Sequence, residues 1–411
     1  MTALTEGTRL NREAQRLLLL VARDGLDNMQ QSEARQLARN VNDWDHFIEV
    51  SRRSFGICMA YCTLNRLGDD SVPTQALDRM RSTAQRLAAR SLMIESTLFD
   101  FESGCLAPRG VRHAFFKGPA LARRYYATPA ARPCRDIDVL IDHASAIEVV
   151  SRAKALGYVP CDDIGPSERD LAAWVKYATV YVMRAPNGVL VEIHRSLDHG
   201  EGVLDVNQML SRAERIRFSG RDVAVLSTAD LFVYVCMHHT GHFWSHLHWY
   251  GDVDAITRHP EFDPVEVRRI ATHTRLLNTV EACLRLNDFA RTADWPQLDA
   301  PSQDISTQLL ARSIECLEGG QARENELRSS RLSCDRVFAR QLSDDRLVNR
   351  LRLQLRSFLP SFSDYRAWPL PSWLQPVYYL TRPFRIALSR IKRAIAASSG
   401  NAGKPTGAGM P

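Results

Sequence analysis

The chain has 411 residues, of which 45% are hydrophobic and 24% are charged, and its mean hydropathy is −0.26. This length predicts two or three domains, and the composition excludes collagen, coiled coils and wholesale disorder. No apolar run approaches the roughly 20 residues that a membrane-spanning helix needs, and the amino terminus has no secretory pattern. We therefore expect a cytoplasmic protein without an integral membrane segment.

The nine cysteines are scattered along the chain without a CxxC pair. That pattern predicts free thiols, in agreement with a reducing compartment. Cys58 and Cys62 would share one face of a helix in FGICMAYCTL. Because no histidine or further cysteine is near them in sequence, we interpret them as small buried hydrophobes rather than metal ligands.

The net charge of +6 is concentrated at the carboxyl terminus. Residues 361–411 contain seven basic residues and one acidic residue, so the other 360 residues are neutral overall. A protein that coats nucleic acid normally presents a basic face. The neutral body therefore argues against that class of protein.

The first hundred residues have apolar side chains at three- and four-residue spacing, which predicts a helical region over residues 1–106. The turn signal APRG then ends this region. Strands and helices alternate in a predicted domain over residues 107–226. Its elements are a strand at Phe115-Phe116, a helix in GPALARRYYA, a strand over 137–141, a helix ending at Gly157, and two strands joined at Asn187-Gly188.

Helical periodicity returns after Ser227 and predicts a second helical domain over residues 227–358. Residues 359–411 are predicted to form an irregular strap rich in proline and tryptophan, a basic amphipathic helix in FRIALSRIKRAIAA and a disordered tail. The apolar stripe of that helix could dock on the protein or make a peripheral contact with an anionic membrane. We expect docking because the stripe is short.

Two carboxylates, Asp136 and Asp138, stand two residues apart in RDIDVLI, a pattern typical of a buried β-strand. Alternate strand residues point to the same face, so these side chains would repel each other unless a cation lies between them. Carboxylate oxygens are the ligands that Mg²⁺ prefers. The pair therefore predicts a divalent metal site, although a lone motif of this kind also occurs in loops that bind no metal.

Two further segments strengthen the metal interpretation. Lys117-Gly118 is predicted to form a strand-to-helix turn, where backbone amides and the helix N-terminus would face a phosphate group. Glu192 lies inside the apolar strand VLVEIH, where an unpaired charge would be costly. We therefore predict that Lys117 and Gly118 contact phosphate and that Glu192 is a third metal ligand. The alternative for Glu192 is a surface position on the strand.

The chain resembles the uncharacterised nucleotidyltransferase family, part of the DNA polymerase β-like nucleotidyltransferase superfamily, in the segments HAFFKGPALARRYYATPAARPCRDIDVLID and VLVEIH. The family pattern occurs in order as Lys117-Gly118, Tyr125-Tyr126, Arg132 to Asp138, and Glu192 with His194. The wider superfamily has a Gly-Ser turn where this chain has Gly118-Pro119. The resemblance implies that lysine and backbone amides hold the phosphate here instead.

The resemblance also implies an α+β fold, with a polymerase β-like mixed sheet flanked by helical regions. The implied activity is transfer of a nucleoside monophosphate from an NTP to an acceptor hydroxyl, with release of pyrophosphate. Asp136, Asp138 and Glu192 would hold two Mg²⁺ ions, for which Mn²⁺ can substitute. The candidate nucleotide contacts, besides the lysine turn, are Arg132, Arg135 and His194. Guanidinium matches phosphate oxygens, and the alternative for the two arginines is a solvated surface position.

Five of the twelve histidines lie within HHTGHFWSHLH, at positions 238, 239, 242, 246 and 248. If one helix ran through them, His238, His242 and His246 would line one of its faces. No glutamate stands between them as in zinc proteases. We interpret the cluster, with Asp252 shortly after it, as packing or a nucleotide contact, and the alternative is a separate metal site.

Two other classes of function stay open. One is a metal-dependent phosphohydrolase that uses the cluster from His238 to Asp254, and the other is a non-catalytic nucleotide-binding module. The three intact carboxylates argue against the binding module. The resemblance leaves the acceptor open among a small molecule, a protein and a small RNA.

Overall fold

The computed structural model describes residues 9–68, 70–165, 167–197, 203–292, 295–298, 302–329 and 359–399. The chain divides into two compact units. One unit comprises Met1–Asp163 and Thr179–Arg346, and the other comprises Ile164–Ala178 and Leu347–Pro411. The four segments expected from the sequence, 1–106, 107–226, 227–358 and 359–411, stay a prediction.

Helices surround a central sheet in the first unit. They are α1 (Arg12–Leu20), α2 (Asn28–Arg39), α3 (Trp44–Arg53), α4 (Ile57–Leu67), α5 (Thr74–Phe101), α6 (Gly118–Tyr125), α7 (Ala146–Ala155), α9 (Val206–Ser211), α10 (Thr228–Gly241), α11 (Leu247–Thr257), α12 (Pro264–His273), α13 (Leu277–Arg291) and α14 (Ile305–Ser329). The second unit contains α8 (Glu168–Tyr177), α15 (Phe362–Ala367) and α16 (Val377–Ser399). In the described ranges, no helix is both long and apolar enough to span a membrane.

The described residues form one mixed sheet of seven strands. The strands are β1 (His113–Phe115), β2 (Asp136–Ile141), β3 (Val159–Pro160), β4 (Val180–Arg184), β5 (Leu190–His194), β6 (Glu214–Phe218) and β7 (Arg221–Val225). Their order across the sheet is β3-β4-β5-β2-β1-β7-β6. Strands β2 and β5 pair in parallel, as do β1 and β7, whereas the other neighbours are antiparallel. The predicted α+β class with a mixed sheet and flanking helices is confirmed.

Local sequence explains several of these elements. The hairpin between β4 and β5 turns at Asn187-Gly188, where Gly188 has a φ of 86°, as a tight turn requires. Helix α10 begins after Ser227, whose hydroxyl accepts a hydrogen bond from the Asp230 amide at 3.2 Å, an N-cap arrangement. The amino-terminal helices, the sheet and helices α10 to α14 share one hydrophobic core, which includes Leu17, Phe116 and Tyr250.

The structure also differs from the sequence predictions. It contains the β6–β7 hairpin and helix α8, which we did not predict individually. The region from Pro360 to Pro383 is not wholly irregular, because it contains α15 and the start of α16. Ser361 and Asp364 form a capping box that starts α15. Residues 330–358 of the predicted helical domain and the predicted tail from residue 400 lie outside the described residues.

Candidate active site

The parallel pairing of β2 with β5 brings the predicted carboxylates together. In this register Asp138 stands opposite Glu192, and His194 lies two residues further along β5. Alternate strand residues point to one face, so Asp136, Asp138, Glu192 and His194 all project from the same side of the sheet. Two motifs more than fifty residues apart in sequence thus form one polar patch on an otherwise apolar surface.

Three of these side chains form a group that could hold a metal ion. Ligand atoms of Asp138, Glu192 and His194 all lie within 4.8 Å of one another. The His194 Nε2 atom is 3.2 Å from Asp138 Oδ1 and 3.4 Å from Glu192 Oε2. Asp136 lines the same pocket as Asp138 and Glu192 but is not a member of this group. The sequence analysis assigned His194 to the nucleotide, whereas the geometry places it among the candidate ligands.

Electrostatics in this patch favour a bound cation. Burial, together with the charges of Asp138 and Glu192, raises the pKa of Asp136 to about 6. Burial also opposes ionisation of Asp138, but Lys117 and His194 outweigh it and lower the pKa of that carboxyl to about 2. Carboxylates held this close repel each other, and a divalent ion relieves that repulsion. The oxygen and imidazole donors present here suit such an ion.

The Lys117-Gly118 turn lies directly against β2. Gly118 has a φ of 56°, and a Cβ atom at this position would be 2.7 Å from the Asp136 carbonyl oxygen. Only glycine tolerates both conditions without strain. Lys117 places its Nζ atom 3.5 Å from Asp138 Oδ1, and although burial opposes it, Asp138 raises the pKa of Lys117. The turn therefore places one fixed positive charge beside the carboxylates.

The two predicted arginine contacts have different surroundings. Arg132 is buried, and its Nε and Nη2 atoms donate to the Asp252 carboxylate at 3.1 and 2.9 Å. The Tyr126 hydroxyl donates to the same carboxylate at 2.8 Å. Arg135 is exposed, and its guanidinium lies 4.3 Å from the centre of the Phe55 ring. Arg135 therefore has free access to a ligand, whereas Arg132 is engaged by Asp252.

A pocket of about 400 Å³ opens over these groups. We call its two sides the sheet wall and the helical wall. The sheet wall consists of Lys117, Asp136, Asp138 and Glu192, and the helical wall consists of His238, His239, His242, His246, His248 and Trp249. The histidine cluster noted in the sequence therefore lines the same pocket as the carboxylates.

The histidines reach the pocket by a route that the sequence did not indicate. Helix α10 ends at Gly241, and Phe243 and Trp244 have φ values of 53° and 51°. The chain consequently reverses, and His246 becomes the N-cap of α11. His238, His242 and His246 therefore do not lie on one helix, and the shared face considered in the sequence analysis does not form.

The helical wall is aromatic, with rings that stack on one another. His239 stacks on Trp249 with ring centres 4.6 Å apart, and His246 stacks on Phe55 at 4.9 Å. Burial lowers the pKa of His246 to about 4, and it lowers the pKa of His239 well below the ordinary value. Both imidazoles are therefore neutral at pH 7. In the described ranges, Asp138, Glu192 and His194 are the one group of three side chains whose ligand atoms lie close enough together to hold a metal ion. This group contains none of the histidines of the helical wall.

Sequence reasoning missed Glu324 of α14, which contacts the helical wall. Its buried carboxylate lies 2.7 Å from Nδ1 of His242 and accepts a hydrogen bond from the Ser245 hydroxyl at 2.7 Å. Burial opposes its ionisation, but His242 and Ser245 lower the pKa of Glu324 to about 2. Nothing in its local sequence, ARENEL, distinguishes it from a solvated helix residue.

The carboxylates that follow the histidine cluster are engaged in ion pairs. Asp252 is bound by Arg132, as described above. Asp254 is buried and lies 2.8 Å from both Arg23 and Arg258. Asp252 and Asp254 therefore join structural elements to one another. Among the described residues, they do not form a metal-binding group with the histidines.

Comparison with known proteins identifies a family for this chain. A sequence profile of the uncharacterised nucleotidyltransferase family matches residues 40–289. A solved structure of an antigenic nucleotidyltransferase-like protein from Paracoccidioides brasiliensis is similar at 15% identity and a TM-score of 0.27, over 52% of this chain and 94% of that chain. No curated protein matches the chain. Since the family profile covers more than half of the sequence, the chain belongs to the uncharacterised nucleotidyltransferase family.

Proposed function

We propose that this protein is a metal-dependent nucleotidyltransferase. It transfers a nucleoside monophosphate from an NTP to an acceptor hydroxyl and releases pyrophosphate. The observation that carries the proposal is the convergence of Asp138, Glu192 and His194 within 4.8 Å of one another, beside a pocket that Asp138, Glu192, Lys117 and Gly118 line.

Asp138, Glu192 and His194 would hold the cation, and Asp136 borders the place where a second one would bind. Mg²⁺, or Mn²⁺ in its place, would neutralise the negative charge of the triphosphate and lower the pKa of the attacking hydroxyl. The acceptor oxygen would form a bond to the α-phosphorus, the bond from that phosphorus to the pyrophosphate oxygen would break, and the hydroxyl proton would pass to water. Asp138 stays ionised throughout, because its pKa is about 2.

The turn and the helical wall would hold the nucleotide. Lys117 places its ammonium group beside the carboxylates, where a phosphate group would come to rest. Arg135 is exposed at the pocket, and its guanidinium offers a second positively charged contact. On the helical wall, the buried Nδ1 atoms of His239 and His248 lack a hydrogen-bond partner among the described residues, and a polar ligand would supply one.

Thermal unfolding tests the proposal. Mn²⁺ together with an NTP should raise the melting temperature of the wild-type protein, because a ligand that binds only the folded state stabilises it. The gain should disappear in Asp136→Ala and Asp138→Ala. The matched control is Asp222→Ala, on the exposed end of β7, which should retain the full gain. Equal stabilisation of wild type and both site variants would contradict the proposal.

Lys117 needs a separate experiment. Lys117→Ala should weaken NTP binding about tenfold, the usual value of one charge-assisted contact, while circular dichroism stays unchanged. Equilibrium dialysis with a labelled NTP measures the affinity. Unchanged affinity would show that Lys117 only balances the charge of Asp138.

A further inference from the structure

The carboxyl-terminal helix α16 is anchored through its polar face. Arg382 and Arg385 both contact the carboxylate of Asp364, which is buried. The Tyr378 hydroxyl donates to the Trp368 carbonyl at 2.7 Å and accepts from the Leu370 amide at 2.9 Å. These contacts fix the helix by the side that carries Arg382 and Arg385.

The opposite face of α16 is apolar and exposed. Leu380, Phe384, Leu388 and Ile391 are exposed by 72%, 72%, 56% and 55%. Their spacing of three and four residues puts them on one stripe of the helix. An amphipathic helix in a globular protein normally turns this stripe inward, so the arrangement here is inverted. Docking of the stripe on the protein, which the sequence favours, stays a prediction, and contact with an anionic membrane is the alternative.

Charge identifies what could cover this stripe. Residues 361–411 carry the whole net charge of +6, so two copies of the segment would repel each other, whereas an anionic surface would attract it. Trp368, Trp373 and Tyr379 are also exposed in this unit, and tryptophan and tyrosine favour the boundary between lipid and water. A helix with an apolar face and basic flanks lies in the plane of such a boundary.

We propose that α16 binds peripherally to an anionic membrane surface, with Phe384, Leu388 and Ile391 inserted between the lipid headgroups. This inference is independent of the chemistry in the pocket.

Co-sedimentation of the full chain with vesicles tests the proposal. The protein should pellet with vesicles of phosphatidylcholine and phosphatidylserine, and not with phosphatidylcholine alone, and high salt should weaken the binding. The double variant Phe384→Glu with Leu388→Glu should reduce the bound fraction at least about tenfold, since charges on an inserted face oppose insertion. The matched control is Val265→Glu, an equally exposed apolar position on α12, which should bind as wild type does.

Two results would overturn the proposal. One is equal vesicle binding by the wild type and the double variant. The other is a wild-type dimer that becomes monomeric in the double variant, with no vesicle binding by either protein, which would make the stripe a contact between two copies. Because all three substitutions are at exposed positions, equal melting temperatures would show that folding is intact. Nucleotide-induced stabilisation should be the same in all of these proteins, which separates this test from that of the pocket.

Discussion

The two walls of the pocket differ in chemical character: one carries charged side chains, and the other carries stacked aromatic rings. The sheet wall concentrates charge, with Asp138 ionised by Lys117 and His194 and with the pKa of Asp136 raised to about 6. The helical wall contains neutral imidazoles that stack on Trp249 and Phe55. A ligand with a metal-bound polyphosphate and an aromatic base matches this division, because one end needs charge compensation and the other needs a flat apolar surface.

Some charged residues of the pocket face its open space, whereas others hold the two walls in place. Lys117 and Arg135 present their charges to the pocket, whereas Arg132 joins the approach to β2 with α11 by binding Asp252. Variants of these residues should therefore differ in stability and in nucleotide binding, and the largest difference is expected at Arg132.

Arg132 and Arg135 should differ in what their loss does. Arg132→Met leaves the buried Asp252 carboxylate without its guanidinium and should lower the free energy of unfolding by about 3–5 kcal/mol. Arg135→Ala removes an exposed side chain and should change stability by less than about 1 kcal/mol, while weakening NTP binding. Urea unfolding and equilibrium dialysis measure the two effects. Equal loss of stability in both variants would show that the ion pair between Arg132 and Asp252 does not hold the two walls together.

Gly118 and Gly110 provide the second test, because both have positive φ but only Gly118 is crowded. A Cβ at Gly110 meets no atom within 4 Å, whereas one at Gly118 would be 2.7 Å from the Asp136 carbonyl oxygen. Gly110→Ala should cost about 1–2 kcal/mol from its backbone conformation alone. Gly118→Ala should cost more and should also abolish nucleotide binding. If the two variants unfold at the same urea concentration and bind NTP equally well, the close approach of the turn to β2 is needed neither for stability nor for nucleotide binding.

The smallest effect concerns Glu324, which lines the pocket beside His242. Its pKa falls from 4.5 to about 2 on folding, so its carboxylate stabilises the folded state fully above pH 4.5 and loses this contribution as the pH falls towards 2. The stability difference between wild type and Glu324→Gln should therefore be largest near neutral pH and shrink in acid. Urea unfolding at several pH values measures it, with Glu281→Gln as control, because Glu281 is only half-buried and pairs with Arg268 at the surface. A difference that is constant with pH would assign the effect to shape rather than charge.

The sheet wall was largely predictable from sequence, because strands have a simple period. Asp136 and Asp138 share a face by that period alone, and Glu192 in an apolar strand demanded a partner. The position of His194 among the candidate ligands followed the same rule, although the sequence analysis gave it another role. The register that sets Asp138 opposite Glu192 depends on how two distant strands pair, which no local pattern specifies.

The helical wall was less predictable, because it depends on a helix end and on distant contacts. The positive φ values of Phe243 and Trp244 break the expected helix, and such values are unusual for bulky residues. Glu324 reaches the wall from α14, about eighty residues after His242 in sequence. The ion pair between Arg132 and Asp252 is likewise a tertiary contact, which the local sequence does not reveal. The sequence alone therefore suggested that Arg132 contacts phosphate.

The fate of a labelled nucleotide distinguishes nucleotidyl transfer from hydrolysis. The protein is incubated with Mg²⁺, a cell extract and each NTP labelled at the α-phosphorus. We expect label to become covalently attached to an acceptor, with one pyrophosphate released for each transfer. Glu192→Gln should reduce the rate by at least about 10³-fold, since charge stabilisation by a bound metal contributes several kcal/mol. Release of inorganic phosphate without transfer of label, or transfer that is unchanged in Glu192→Gln, would contradict the proposed function.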